Sequence, residues 1–187
     1  MPIYQNSTVN TTKLIIGNYQ IFTATTSTCL SPGSVVSATW INLGAGMVNS
    51  FGHNITKYNV QAGNAPDPIE GVATETFTIS ADLLEFDASV MAAIQCGAIT
   101  YAGGTAKAGG VGTLTPVAFK LVNTRTIAGS VFTTTVVVFR CTLDTGMQFT
   151  AKSDNDTDPI NVIPITVTGK PQTTFSAGTQ LYQIFNT

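Results

Sequence analysis

The sequence predicts a mainly β domain, a β-sandwich or barrel with one flanking α-helix and extended N- and C-terminal arms. Three observations predict it. Runs rich in Val, Ile, Phe and Thr alternate apolar and polar residues at period two. One stretch alone carries a helical apolar stripe, and Gly, Pro, Asn and Asp punctuate the rest. The chain has 187 residues, 43% of them hydrophobic, which suits one domain that buries a core without disulfides or metals.

Residues 1–18 read as a polar, Asn- and Thr-rich N-terminal arm, and 19–170 as the domain itself. Within the domain, 20–25 is a short strand. Residues 39–43 form another, which carries the single tryptophan, Trp40, and runs into the break Gly44-Ala45-Gly46. Residues 47–72 have few long apolar runs and many turn signals, among them Gly63-Asn64 and Pro66-Asp67-Pro68. They read as a long excursion with one strand at 53–61. Long loops in compact domains are usually functional, so this one is a candidate for contacts between subunits. The clearest strand is 74–84. Phe77, Ile79, Ala81 and Leu83 fall on one face, and Thr74, Thr76, Thr78, Ser80 and Asp82 on the other.

The spacing predicts a helix over 87–96, with Asp87 as N-cap, an apolar stripe of Phe86, Val90, Ala93 and Ile94, and a stop at Gly97. The Gly- and Ala-rich stretch 101–112 reads as a flexible loop. Strands resume at 117–122, 132–143, 149–151 and 162–168. The run 132–143 is apolar on both faces, as expected of a strand covered on both sides. The C-terminal arm, 171–187, ends in Leu181-Tyr182-Gln183-Ile184-Phe185, apolar enough to dock on a neighbour.

Charge narrows the function. Asp, Glu, Lys and Arg make up 10% of the chain, against about 25% in ordinary soluble domains. Charge keeps monomers soluble, so a surface this poor in it points to cover by neighbouring subunits. The eight Lys and Arg are scattered singly in a chain of net charge −2, without the basic stripe of a nucleic-acid binder. No apolar run approaches the roughly 18 residues of a membrane span. The first ten residues lack the basic and apolar regions of a signal peptide. Cys29, Cys96 and Cys141 are odd in number and widely spaced; they read as reduced core residues, in keeping with assembly in a cytoplasm.

No constellation points to catalysis. His53 is the only histidine, so a triad or a histidine-based metal site would rest on it alone; it reads as a polar loop residue. The run Asp154-Asn155-Asp156-Thr157-Asp158 alternates acids as calcium loops do, but has Pro159 where the loop needs glycine and Ile165 where it needs glutamate. Lys107 precedes the glycines that a phosphate cradle would place before it. Glu75, Asp82, Glu85 and Asp87 read as a polar strand edge leading into a helix cap, and Trp40 as core. The expectation is a protein that is not an enzyme and holds neither cofactor nor metal.

An ordered series of features carries a resemblance. A short strand ends in Trp40-Ile41-Asn42-Leu43-Gly44 and is followed by the long excursion. An alternating strand closes on Leu83-Leu84-Glu85-Phe86, with a helix directly after it. Then come Pro116-Val117-Ala118-Phe119-Lys120-Leu121-Val122, the strand Val136-Val137-Val138-Phe139-Arg140, and Thr166-Val167-Thr168-Gly169-Lys170-Pro171. Over residues 40–171 this order resembles the tail tube (major tail) proteins of long-tailed bacteriophages, siphophage type.

The resemblance implies a structural virion protein that self-assembles into hexameric rings stacked as a tail tube, the conduit for genome ejection. Its implied partners are copies of itself, a tape-measure protein and other tail proteins. DNA passes through without specific binding, and no membrane is involved. The implied location is the phage tail, after assembly in the host cytoplasm. Contacts between rings would fall on 1–18, 47–72 and 171–187, with His53, Tyr58, Leu181, Tyr182, Ile184 and Phe185 as candidates. The stripe Thr74, Thr76, Thr78, Ser80 and Asp82 is the candidate lumen-facing surface, because each Lys or Arg on a phosphate would add affinity and friction. Apart from the resemblance, the same stripe reads as the solvent side of a sandwich. The alternative is another virion β-sandwich: a decoration protein, a tail terminator, or a carbohydrate-binding module using Trp40 and the loop 154–158.

Overall fold

The computed structural model describes residues 19–25, 38–44, 46–60, 69–84, 88–94, 99–109, 115–127, 129–144, 162–173 and 180–187. The expected N-terminal arm at 1–18, the strand at 149–151, the acidic run at 154–158, Cys29, Cys96 and the helix cap Asp87 lie outside them. The elements in chain order are β1 (Gln20–Thr25), β2 (Ile41–Asn42), β3 (Gly46–Val60), β4 (Ile69–Leu83), α1 (Ala88–Ile94), β5 (Ile99–Ala102), β6 (Thr105–Ala108), β7 (Val117–Ile127), β8 (Ser130–Leu143), β9 (Ile163–Gly169) and β10 (Tyr182–Asn186). The fold is mainly β, as the period-two runs predict.

Eight strands form one antiparallel sheet in the order β2-β1-β7-β8-β9-β4-β3, with β10 beside β8. β8 lies in the middle of the sheet. That strand pairs with β7 along one edge. Along the other edge it pairs with β10 over 134–138 and with β9 over 141–143. β9 and β10 therefore occupy one lane, end to end, and β9 alone carries the sheet on to β4.

The two halves of the folded sheet share one core. Ile21 of β1, Phe119 and Leu121 of β7, and Val136 and Val138 of β8 meet Phe77, Ile79 and Leu83 of β4 and Ile165 and Val167 of β9, all nearly inaccessible. Burying each such side chain contributes roughly 1.5–3 kcal/mol before the entropy of ordering it. Cys141 lies in this core, as its small apolar character predicts. Val137 and Phe139 point the other way, into a second cluster with Ala118, where Ala38, Trp40 and Phe185 partly cover them. β8 is thus covered on both faces, which is what its unbroken apolar run predicts.

The fold of the sheet depends on Gly169, the last residue of β9, which sits opposite both Phe77 and Cys141. A Cβ there would collide with Val138 Cγ1 while lying in ordinary contact with Cys141 Sγ and the Phe77 carbonyl. Close packing of this kind leaves no room for a methyl group.

Of the expected helix over 87–96, the described residues 88–94 are helical. Ile94 ties it to the main core, where it is fully buried. The expectation of a loop over 101–112 is corrected. β5 and β6 form a hairpin of their own, turned by Gly103 and Gly104 at φ 58° and 78°. Two consecutive positive φ values are what a two-residue hairpin turn requires and what glycine supplies without strain. Each strand has only four residues, and β6 offers only Ala106 and Ala108 as apolar positions, too little to mark a strand by hydrophobic pattern. The excursion at 47–72 is likewise not a loop with one strand. It is a long hairpin in which Gly46 to Val60 pair with Leu83 to Ile69.

Candidate functional site

Along β4, the side chains of Phe77, Ile79, Ala81 and Leu83 enter the core. Strand alternation therefore sends Thr76, Thr78, Ser80 and Asp82 to the opposite face, half-buried, with Thr74 exposed beyond them. Residues directly paired across strands share a face. On β3, the partners of Thr74, Thr76, Thr78 and Ser80 are Thr56, Asn54, Gly52 and Ser50. On β9, those of Thr78 and Ser80 are Thr168 and Thr166, and Thr168 continues to Thr142 of β8. From Thr74 to Ser80 the predicted stripe is one row of a field, mostly of hydroxyl and amide groups, that crosses four strands; Asp82 pairs instead with Met47 and Pro164.

Short hydrogen bonds fix the field. Asn54 Nδ2 donates to Thr78 Oγ1 at 3.0 Å. Asn49 Nδ2 donates to Asp82 Oδ2 at 2.9 Å, and Thr168 Oγ1 to Asp144 Oδ2 at 2.6 Å. The paired positions hold no Lys or Arg; Arg140, within β8 two residues before Thr142, and Lys170, just past β9, stand at the margin of the field, both exposed. The paired positions themselves exchange hydrogen bonds with water and offer phosphate no cation.

Beyond the body of the sheet the β3–β4 hairpin becomes a two-stranded ribbon, because β9 pairs with β4 only over 77–83. Ile55, Tyr58, Val60 and Val72 on this ribbon are each about half exposed, 48–52%. Single exposed apolar residues are ordinary, but four on one projecting ribbon make a surface suited to burial against a partner. The Lys57–Glu70 pair, 3.8 Å apart and open to solvent on both sides, contributes little.

An aromatic cluster anchors the root of the ribbon. Tyr19 meets Phe51 edge-on at 5.2 Å, Phe51 stacks on Phe77 at 6.1 Å, and Tyr182 of β10 packs on Phe77 at 4.8 Å and on His53 at 5.4 Å. His53 Nε2 lies 3.9 Å from Glu75 Oε2. His53 and Tyr182 are therefore brought together, while Tyr58 stands apart on the ribbon. Leu181 is in the core, Phe185 covers the second cluster, and Ile184 is exposed. In this chain β10 pairs with its own β8.

The hydroxyl of Tyr19 is buried with no hydrogen-bond partner among the described residues. Burial raises its pKa above the usual tyrosine range, and the charge of Arg125 pulls it partly back. A phenol kept neutral in the fold contributes stability that is fully present below the unfolded value, about 10, and is lost as pH rises through the folded one. Urea unfolding at about pH 9 and about pH 11 is therefore expected to cost the wild type more stability than Tyr19→Phe. Equal losses in the two proteins would contradict this environment.

Two features escaped the sequence. Lys120 Nζ sits 4.5 Å from the Phe22 ring centroid and 4.6 Å from that of Trp40, a cation held between two aromatic faces. Trp40 is thus engaged by its own chain and makes a poor sugar platform. Arg125 Nη1 donates to Thr134 Oγ1 at 3.0 Å, and that hydroxyl donates to Asn186 Oδ1 at 3.0 Å, latching β10 to β8. Neither contact has a signal in the spacing of the residues. Among the described residues, no three His, Cys, Asp or Glu converge to hold a metal ion, and no helix is long and apolar enough to cross a membrane.

No protein-family model matches the chain, and no curated protein does. Among solved structures it is similar to the tube-terminating cap of the anti-feeding prophage, determined by electron cryomicroscopy. The identity is 10%, the coverage is 94% of this chain and 93% of that chain, and the TM-score is 0.46.

Proposed function

We propose that this chain is a structural subunit of a phage tail that self-assembles into stacked, hexameric rings and forms the tail tube, without catalysis. The observation that carries the reading is the four-strand field around Thr76, Thr78 and Ser80, whose paired positions hold hydroxyl and amide groups, one glycine (Gly52) and no Lys or Arg. Non-specific affinity for DNA comes from cations that neutralise phosphates. A wall without them lets a polyanion pass. The partners in this reading are further copies of the chain, a tape-measure protein inside the tube before ejection, and other tail proteins at its ends. The low charge of the chain and the half-exposed apolar residues of the ribbon support burial against such neighbours. Assembly takes place in the host cytoplasm and the product is a part of the virion. Negative-stain electron microscopy of the concentrated protein is expected to reveal rings or tubes. A strictly monomeric species at every concentration and ionic strength would sink the reading.

A further inference from the structure

β10 is lightly held by its main chain. It pairs over five residues with β8 and has no strand on its other side among the described residues, and its side chains are half-buried or exposed. Two chains of side-chain contacts tie it down, and both lead back to Tyr19. At the start of β10, Tyr182 packs on Phe77 at 4.8 Å, Phe77 stacks on Phe51 at 6.1 Å, and Phe51 meets Tyr19 edge-on at 5.2 Å. At its end, Arg125 Nη1 donates to Thr134 Oγ1 and Thr134 Oγ1 to Asn186 Oδ1, each at 3.0 Å. Thr187 also exchanges main-chain bonds with Thr133 there, at 2.7 and 2.9 Å. The Arg125 guanidinium lies 5.9 Å from the Phe132 ring centroid, and its charge is felt at the Tyr19 hydroxyl. Tyr19 stands one residue before the Gln20–Val122 pair, where the chain enters β1. The first route crosses β3 and β4 and the second β7 and β8, so they have only Tyr19 and β10 in common.

We propose that Tyr19 and β10 open as one cooperative unit, so that freeing the entry to β1 loosens the C-terminal strand and freeing the C-terminal strand loosens the entry. The coupling is a property of the single subunit and stands apart from the self-assembly reading above. Its warrant is the continuous path of packed and hydrogen-bonded side chains between the two elements. Packed side chains interlock at the density of organic crystals, so an aromatic row cannot lose one ring without a gap beside the next. β4, β8 and β9 each have strands on both sides, whereas β10 is held through one edge, and opening free energies within a domain follow such differences. The Tyr19 hydroxyl, buried without a hydrogen-bond partner among the described residues, regains water when the unit opens, which lowers the cost of opening. By linkage, whatever displaces one of the two segments weakens the hold on the other by the same factor.

Amide hydrogen exchange on the full-length, dilute protein tests the coupling in both directions. Tyr19→Leu removes the ring that meets Phe51 and is expected to speed exchange over 183–187 at least about tenfold. Asn186→Ala removes the acceptor of the Thr134 hydroxyl at an exposed position and is expected to speed exchange over 20–22 by a similar factor. In both variants the amides of 163–167, on β9, are expected to keep their wild-type rates within about twofold. Asn186→Ala touches no buried core side chain, so it decides the matter even where Tyr19→Leu does not fold. Exchange over 20–22 that Asn186→Ala leaves unchanged overturns the proposal. So does acceleration that spreads equally to β9, because the unit would then be the whole domain.

Discussion

Phe119→Ala is expected to lower the free energy of unfolding by about 3–5 kcal/mol, measured by urea titration followed by circular dichroism. Phe119 is fully buried, pairs with Val138 across β7 and β8, and sits in the core that both halves of the folded sheet share. Truncation removes the transfer free energy of the ring and leaves a cavity, because strands on both sides are held by their own hydrogen bonds and cannot collapse into it. Domains of this size have about 5–15 kcal/mol in all, so the variant sits near the limit of folding. Thr126→Ala, at an exposed position on the same strand, is the control and is expected to change stability by less than about 0.5 kcal/mol. A loss below about 1 kcal/mol for Phe119→Ala would mean that the two halves do not pack on one another.

The second large effect is a gain of affinity. Converting Thr76 and Thr78 to lysine puts two cations per subunit on the face that holds none at its paired positions. In a ring these become a belt of positive charge around the lumen. Assembled wild-type particles are expected to retain no duplex DNA in a filter or gel assay at low salt. The lysine variant is expected to bind it and to lose roughly 10³–10⁵ of that affinity between about 50 and 200 mM salt, the dependence of 6–10 phosphate contacts. Thr124→Lys/Thr126→Lys, at exposed positions of β7, gives the same charge elsewhere. If both double variants bind DNA equally, the field around Thr76 and Thr78 does not line a channel that DNA enters. Neither threonine points into the core, so both changes are compatible with the fold.

What could be read from the sequence follows from where side chains, and not main chain, decide the structure. The core face of β4 was legible because Phe77, Ile79, Ala81 and Leu83 alternate without a break, and the burial of β8 on both faces because Val136 to Phe139 do not alternate at all. The ribbon was not legible as a hairpin. Its distal half has no core to face, so its strands carry Asn, Thr, Lys and Gly, and shifts of register between Val48 and Ser50 and between Thr56 and Lys57 break the period. Main-chain hydrogen bonds hold it, and those leave no trace in hydropathy. The hairpin β5–β6 was hidden because its strands are four residues long and β6 carries only alanines as apolar positions. The threonine stripe was visible as one row; its extension onto β3, β9 and β8 needed the register. The attachment of the C-terminal segment to β8 needed the tertiary fold, since an apolar tail suits its own chain as well as a neighbour.

The order of strands in the sheet also sets a timetable. β1 pairs with β7, and β4 with β9, across separations of about 80–100 residues, a topology whose folding falls in the slow, millisecond-to-second range. During that interval the ribbon can form locally, with both of its edges bare, before the body that should carry it has closed. Partly folded chains with open edges add to one another without regard to ring or register. Dilute, slow synthesis is thus the condition under which this chain should yield regular particles in place of aggregates.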